Sequence, residues 1–368
     1  MKKVLYSLLI LALATACTQD SFTVNGTVTD ADQLPEGAVI ALLDKAGEEI
    51  ATTSVTDGAF TLTGDASAET LYQVQAIWAG KTARDHSWSA SFIPESGTTK
   101  VTLSHDESSV EGGSVNKAYN DFLKEINDLY ADFEEKAAAM QEEGRPREEI
   151  QALYDEVEEK VAEYSKEAIA KNGDNYIALA ALQNIMYDLP LDELKETIAK
   201  CSPFVGENEH IARTVACKEA EQATVEGQPF VDFAGKTPEG ADVKLSDYVG
   251  KGKWVLTDFW ASWCGPCMRE VPNLKKTHET LAGDNFTVLG IAVWERGGDN
   301  TASAKRMEEM GMTWPQIFAG ADNTPTDSYG ILGIPTLILF APDGTIYKRG
   351  EALRGENMLE TIRGIIGQ

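Results

Sequence analysis

From Phe22 to about Leu103 apolar and polar residues alternate, in runs such as "SFTVNGTVTD", "GAVIALLD" and "GAFTLTG", with Gly, Asp and Pro between them. Phe22, Val24 and Val28 fall on one side of the first run. This period of two, broken by turn residues, predicts a small antiparallel β-sandwich or barrel. After "EGGS" the spacing lengthens: Val115, Tyr119, Phe122, Ile126, Leu129, Phe133, Ala137 and Met140 mark one face of an amphipathic helix. "EEGRP" breaks it at Gly144 and Pro146, and a second stripe from Ile150 to Ala168 ends near Gly173. "NYIALAALQNIMYDLP" is apolar nearly all round and predicts a buried helix, with shorter helices after Leu191 and around His210. From about Val225 strand and helix signals take turns. "KWVLTDFWAS" and "FTVLGIAVW" read as buried strands, "CMREVPNLKKTHETLAG", "NTASAKRMEEMG" and "ENMLETIRGIIG" as helices, and "PTLILFAPDGTIYKRG" as a hairpin turning at Pro342, Asp343 and Gly344. Together these predict a mixed sheet with helices on its faces.

The pattern gives four segments: a leader at 1–16, a β domain at 17–110, a helical module at 111–222 and an α/β domain at 225–368. A chain of 368 residues is long enough for two or three domains. Its 59 acidic against 32 basic residues give a net charge of -27, which argues against nucleic acid as a partner because phosphates are repelled. The leader "MKKVLYSLLILALATAC" sets Lys2 and Lys3 before an apolar run that closes on small residues, the signature of a secretory signal. Its end resembles the lipobox of bacterial lipoproteins, which implies cleavage ahead of Cys17 and lipidation of that thiol, with Ala14 departing from the usual larger aliphatic residue. No later stretch is apolar enough to span a bilayer. The expected protein is a folded body in the cell envelope, tethered by lipid where disulfide chemistry is permitted.

Several residues invite function and are better explained by structure. Trp78, Trp88 and Phe92 fit core or half-buried strand positions, and His86, His105 and His278 read as surface residues. The dense Glu and Lys of the helical module read as a solvated face. For Cys201 and Cys217 a structural disulfide and two buried thiols stay open. If "SPFVGEN" turns the chain between antiparallel helices, the two lie roughly 13 Å apart at ~1.5 Å per residue, beyond the ~7 Å between α-carbons that a disulfide tolerates.

The chemistry concentrates in "WASWCGPCMREVP", residues 260–272. Cys264 stands where a strand gives way to a helix, and the helix start favours thiolate over thiol. Cys267 is one turn on, within disulfide reach, and Pro266 fits a first turn that needs no N–H from it. Cys264 is therefore the expected nucleophile on a substrate disulfide and Cys267 the thiol that resolves the mixed disulfide. No second close pair of Cys or His completes a zinc site, so no metal is expected. A purely structural bridge over so short a loop constrains little of the unfolded chain.

"TDFWASWCGPC" resembles the active-site strand and turn of thioredoxin, and "GIPT" (333–336) resembles its cis-proline loop. With the leader, β domain and helical segment ahead of them, these motifs resemble membrane-anchored thiol-disulfide oxidoreductases of the TlpA/ResA type, and Pro272 matches the proline inside the thioredoxin active-site helix. The resemblance implies a thioredoxin fold for about 140 C-terminal residues. It further implies that Trp263 shields Cys264, that Asp258 exchanges the proton as Cys267 resolves, and that Trp263, Gly265, Pro266, Ile334 and a cis Pro335 form the substrate face. A carboxylate on a buried strand has a raised pKa, which suits exchange near neutrality. Many TlpA-type relatives lack an acid at the Asp258 position and some carry Glu inside the C-x-x-C, and no equivalent of thioredoxin's buried lysine is found. "WERGGDN" and "FAGADNTPTDSYG" resemble the family's site-shaping insertions and receive no role. The P-x-x-x-T-x-x-C pattern of peroxidases is missing.

The expected activity is reduction of protein disulfides, because the Gly-Pro dipeptide resembles strongly reducing thioredoxins. The alternatives are an oxidase or isomerase, or a binding lipoprotein in which the redox site is secondary. The expected partners are disulfide-bearing envelope proteins, apocytochrome among the candidates, and an upstream membrane thiol-disulfide donor. No cofactor beyond the Cys264–Cys267 disulfide is expected.

Overall fold

A computed structural model describes residues 20–81, 85–298 and 300–367; the leader and Cys17 lie outside the described residues. The chain divides into two compact units, one holding the described residues up to 185 with 200–205, the other holding 186–199 and those from 206 onward.

The first unit opens with eight strands: β1 (Ser21–Val28), β2 (Val39–Leu43), β3 (Glu49–Thr53), β4 (Ala59–Asp65), β5 (Tyr72–Ile77), β6 (Ser89–Phe92), β7 (Gly97–Leu103) and β8 (Ser109–Glu111). They form two four-stranded sheets, ordered β4-β1-β7-β8 and β3-β2-β5-β6. Alternate residues point inward, so Phe22, Val24, Leu62 and Val101 of one sheet meet Ile40, Leu42, Val74 and Phe92 of the other in one core. Pairing is antiparallel except for β1 with β7, which run parallel, a departure that alternation alone cannot reveal. At Gly26 a side chain is excluded, since a Cβ there would fall 1.9 Å from the Phe60 ring. Trp88 and Phe92 are buried in this core, with Trp78 packed against it.

Helices α1 (Ser114–Glu142), α2 (Arg147–Lys171) and α3 (Tyr176–Ile185) complete the unit. Glu95 accepts hydrogen bonds from the backbone N–H groups of Val115 and Asn116 at the start of α1, and the Asn116 amide pairs with both the N–H and the C=O of Ile93. These bonds tie α1 to the sandwich. Helices α4 (Leu191–Ile198) and α6 (Glu209–Ala223) instead belong to the second unit, with α5 (Pro203–Glu207) at the crossing. Arg213 on α6 donates twice to Asp327, and Arg349 donates to the Thr224 carbonyl, fixing α6 within the second unit. The helices of the central region, 111–222, are thus divided between the two units.

The second unit is built on a seven-stranded mixed sheet ordered β10-β9-β13-β12-β11-β14-β15. Its strands are β9 (Ala234–Lys236), β10 (Asp242–Lys244), β11 (Trp254–Trp260), β12 (Phe286–Ala292), β13 (Gln316–Phe318), β14 (Thr336–Phe340) and β15 (Ile346–Arg349). Strands β11, β12 and β13 run parallel, and β14 returns antiparallel beside β11. Helices α7 (Gly265–Leu281), α8 (Thr301–Met310), α9 (Thr324–Ser328) and α10 (Met358–Ile366) accompany it. One face packs Leu256 and Trp260 with Val271, Leu274 and Ile362 of α7 and α10; the other packs Val255 and Phe259 with Tyr329, Ile338 and Phe340. Both faces of β11 are therefore covered, which explains its unbroken apolar run. His278, expected at the surface, is half-buried against Trp314 with ring centroids 5.8 Å apart. Among the described residues no helix is long and apolar enough to cross a membrane.

Candidate active site

Strand β11 ends at Trp260, and after three intervening residues Cys264 stands as the N-cap of α7. Cys264 and Cys267 are joined in a disulfide, their α-carbons 5.3 Å apart. The Cys267 backbone N–H donates to Cys264 Sγ at 3.1 Å, which favours charge on that sulfur when the bond is open. Pro266 occupies the first turn, and Pro272 lies inside the helix. Cys264 is 4% exposed and Cys267 fully buried, so of the two only Cys264 keeps any exposure. Across the site the Ile334–Pro335 peptide bond is cis, and the Ile334 carbonyl oxygen lies 3.8 Å from Cys264 Sγ.

Asp258 projects from β11 on the side shared with Leu256 and Trp260, the layer that also packs Cys264 and Cys267. It is 1% exposed, and its Oδ1 has no hydrogen-bond partner. Burial, followed by the Glu270 carboxylate, pushes its pKa up to about 8 against the opposing pull of Arg354. Glu270 sits one turn past Cys267, buried, and accepts hydrogen bonds from Asn273 Nδ2 at 3.1 Å and Gly355 N–H at 2.8 Å. Glu270 and Arg354 were not anticipated from the sequence. Glu270 carried a usable signal: it is an ionisable residue on the stripe between Cys267 and Leu274 that faces the sheet.

A second group missed by sequence reading clamps the turn itself. The buried Glu295 carboxylate accepts hydrogen bonds from the Ser262 backbone N–H at 2.6 Å and from its hydroxyl at 2.7 Å. Arg306 Nε donates to the Ser262 carbonyl at 3.2 Å. The Trp263 indole N–H donates to the Trp294 carbonyl at 2.9 Å, and the Arg296 guanidinium lies 4.8 Å from the centre of the Trp263 ring. Trp294 adopts φ 54°, a left-handed conformation uncommon for a large residue, which lets its carbonyl and its neighbour's carboxylate face the turn together. The "WERGG" insertion thus holds the residues just ahead of Cys264.

The Cys201–Cys217 bridge, left open by the sequence, is not formed. Both are thiols; Cys217 on α6 turns toward Asp327, with Sγ 3.7 Å from Oδ1, while Cys201 belongs to the first unit. No group of three or more His, Cys, Asp or Glu able to hold a metal occurs among the described residues.

Residues 226–349 match the AhpC/TSA family, and residues 22–119 match a domain of unknown function, DUF4369. Thiol-disulfide oxidoreductase ResA of Geobacillus thermodenitrificans is 30% identical over 126 residues, which cover 34% of this chain and 69% of the relative. ResA of Bacillus subtilis is 25% identical over 146 residues, covering 40% and 78%. Among solved structures, the thioredoxin domain of a thiol-disulfide oxidoreductase from Bacteroides vulgatus is 30% identical, covers 39% of this chain and 98% of its own, and has a TM-score of 0.35. A disulfide pair at a helix start, faced by a cis proline, accords with the ResA relatives, and the chain belongs to the ResA family of thiol-disulfide oxidoreductases.

Proposed function

We propose that the Cys264–Cys267 pair reduces disulfides of proteins in the cell envelope, with Cys17 carrying a lipid anchor. The observation that carries the reading is the sulfur asymmetry: Cys264 is the outer sulfur and accepts the Cys267 N–H, while Cys267 is enclosed beside a buried carboxylate layer. In the reduced enzyme the Cys264 thiolate attacks one sulfur of a substrate disulfide. A Cys264–substrate disulfide forms and the other substrate sulfur leaves as thiolate. Cys267, giving its proton to Asp258, then attacks Cys264 Sγ. The second substrate sulfur leaves and takes up a proton, and the Cys264–Cys267 disulfide closes. Two electrons have passed to the substrate, and a dithiol donor of the membrane restores them; no further cofactor takes part.

Ile334 and cis-Pro335 place an extended substrate segment beside Cys264, with Trp263 sheltering the sulfur, while Gly265 and Pro266 keep the turn compact. The Gly-Pro dipeptide supports reduction over oxidation. Redox titration of the couple tests the direction: a potential near that of thioredoxin, about -270 mV, is expected, whereas one near about -120 mV makes the protein an oxidant. Trapping on a Cys267→Ala variant, which cannot resolve its adducts, then identifies the substrates.

A further inference from the structure

A groove of about 320 Å³ runs from the redox turn across the loop that precedes the cis proline. It is lined by Trp263 and Trp294, by Ile331 and Leu332, and by Tyr187 and Arg213. Tyr187 and Trp263 are large apolar side chains left exposed, at 45% and 43%. Both are nonetheless held in place. The Tyr187 hydroxyl pairs with His210 Nε2 at 2.8 Å, Lys218 Nζ donates to the Tyr187 carbonyl at 2.7 Å, and Trp263 is fixed by Trp294 and Arg296. Arg213 is neutralised by Asp327. The groove therefore offers aromatic and aliphatic walls set before anything binds, and ordered aromatic surface of this kind marks recognition sites.

What occupies it follows from continuity with the redox centre. A substrate captured on Cys264 is bonded to the residue next to Trp263 and lies beside the Ile334 carbonyl. Tyr187 and Leu332 border both this groove and the pocket that reaches Ile334 and Pro335, so an extended chain advancing ~3.4 Å per residue passes from Cys264 to the groove within a few residues. We propose that this groove is a subsite for a large apolar side chain, aromatic above all, within about three residues of the disulfide-bonded cysteine of a polypeptide substrate. The proposal rests on Cys264 being the attacking sulfur. Tyr187 enters the site from the segment ahead of α4, outside the residues matched to the AhpC/TSA family.

The test uses the reduced full-length protein and short peptides whose single cysteine carries a thionitrobenzoate leaving group, so that release is read by absorbance. Phe and Ser are compared at each of three positions on either side of the cysteine. At one or more positions Phe is expected to raise kcat/KM about tenfold over Ser, the scale on which a hydrophobic pocket discriminates. Tyr187→Ala and Leu332→Ser should each erase that preference, and Tyr187→Phe, which keeps the ring, should retain it. Equal kcat/KM for Phe and Ser at every position, or a preference that survives both Tyr187→Ala and Leu332→Ser, overturns the subsite alone. Full release by Cys264→Ser overturns the underlying reading and the subsite with it.

Discussion

Cys264 and Cys217 are the same residue in the same unit, with opposite surroundings. Cys264 opens a helix, and its sulfur accepts a backbone N–H. Cys217 lies inside α6, where no backbone N–H is spare, and faces the Asp327 carboxylate at 3.7 Å. Burial, aided by Asp327 and only partly offset by Arg213, pushes the Cys217 thiol up to about 11. Thiol chemistry is set by the donors and charges around the sulfur, and a cysteine count cannot tell a nucleophile from core packing.

The sharpest way to break this contrast is to exchange each sulfur for oxygen. Cys264→Ser should lower turnover of protein disulfides by at least ~1,000-fold, whereas Cys217→Ser should stay within about twofold of the parent, as measured by insulin reduction with a dithiol donor. Comparable losses in both would mean that the helix start confers nothing.

Asp258→Asn is expected to come next in size. Acceptance of the Cys267 proton needs ionised Asp258, so resolution of the mixed disulfide should accelerate as pH rises through about 8 and level off above it. The Asn variant should lose that limb and resolve ~100-fold more slowly at pH 8 in stopped-flow single turnovers. An unchanged pH profile would remove Asp258 from the mechanism. The same carboxyl also makes stability depend on pH. Its folded pKa of about 8 lies above the ~3.9 of an unfolded chain, so it costs nothing below about pH 4, where both states hold the proton. Between those values the unfolded state ionises first and stability falls as pH rises, by roughly 4 kcal/mol at pH 7 at ~1.4 kcal/mol per unit. Denaturant titrations of the oxidised protein should show Asp258→Asn gaining on the parent from pH 5 to pH 8.

Glu295→Ala should have a smaller effect. Freeing Ser262 from its two bonds loosens the turn and its tryptophan, lowering kcat/KM for protein disulfides about tenfold, with increased quenching of Trp263 fluorescence by acrylamide. Glu295→Gln, which can still accept the Ser262 N–H, should recover most of both. Loss of activity with unaltered quenching would separate the clamp from the tryptophan.

Local features were legible and distant ones were not. The alternation along β1 and the three-to-four spacing of α1 follow from which face each residue buries, and Asp258 was identifiable because Leu256 and Trp260 flank it on one strand face. Cys264 and Cys267 were placed by a turn of three residues. Glu270, Arg354 and Glu295 join the site through contacts between segments far apart in the chain, which no local period encodes. Strands β9, β10 and β13 are three residues long, too short to show alternation. The allegiance of α4 and α6 to the second unit rests on single side chains such as Arg213 and Arg349.

Site-resolved alkylation of the reduced protein tests the central contrast most directly. With iodoacetamide at pH 7 and peptide mass spectrometry as the readout, Cys264 at its helix start should be modified at least ~100-fold faster than Cys217, whose thiol is buried and pushed up. Equal rates at the two sulfurs would contradict the account.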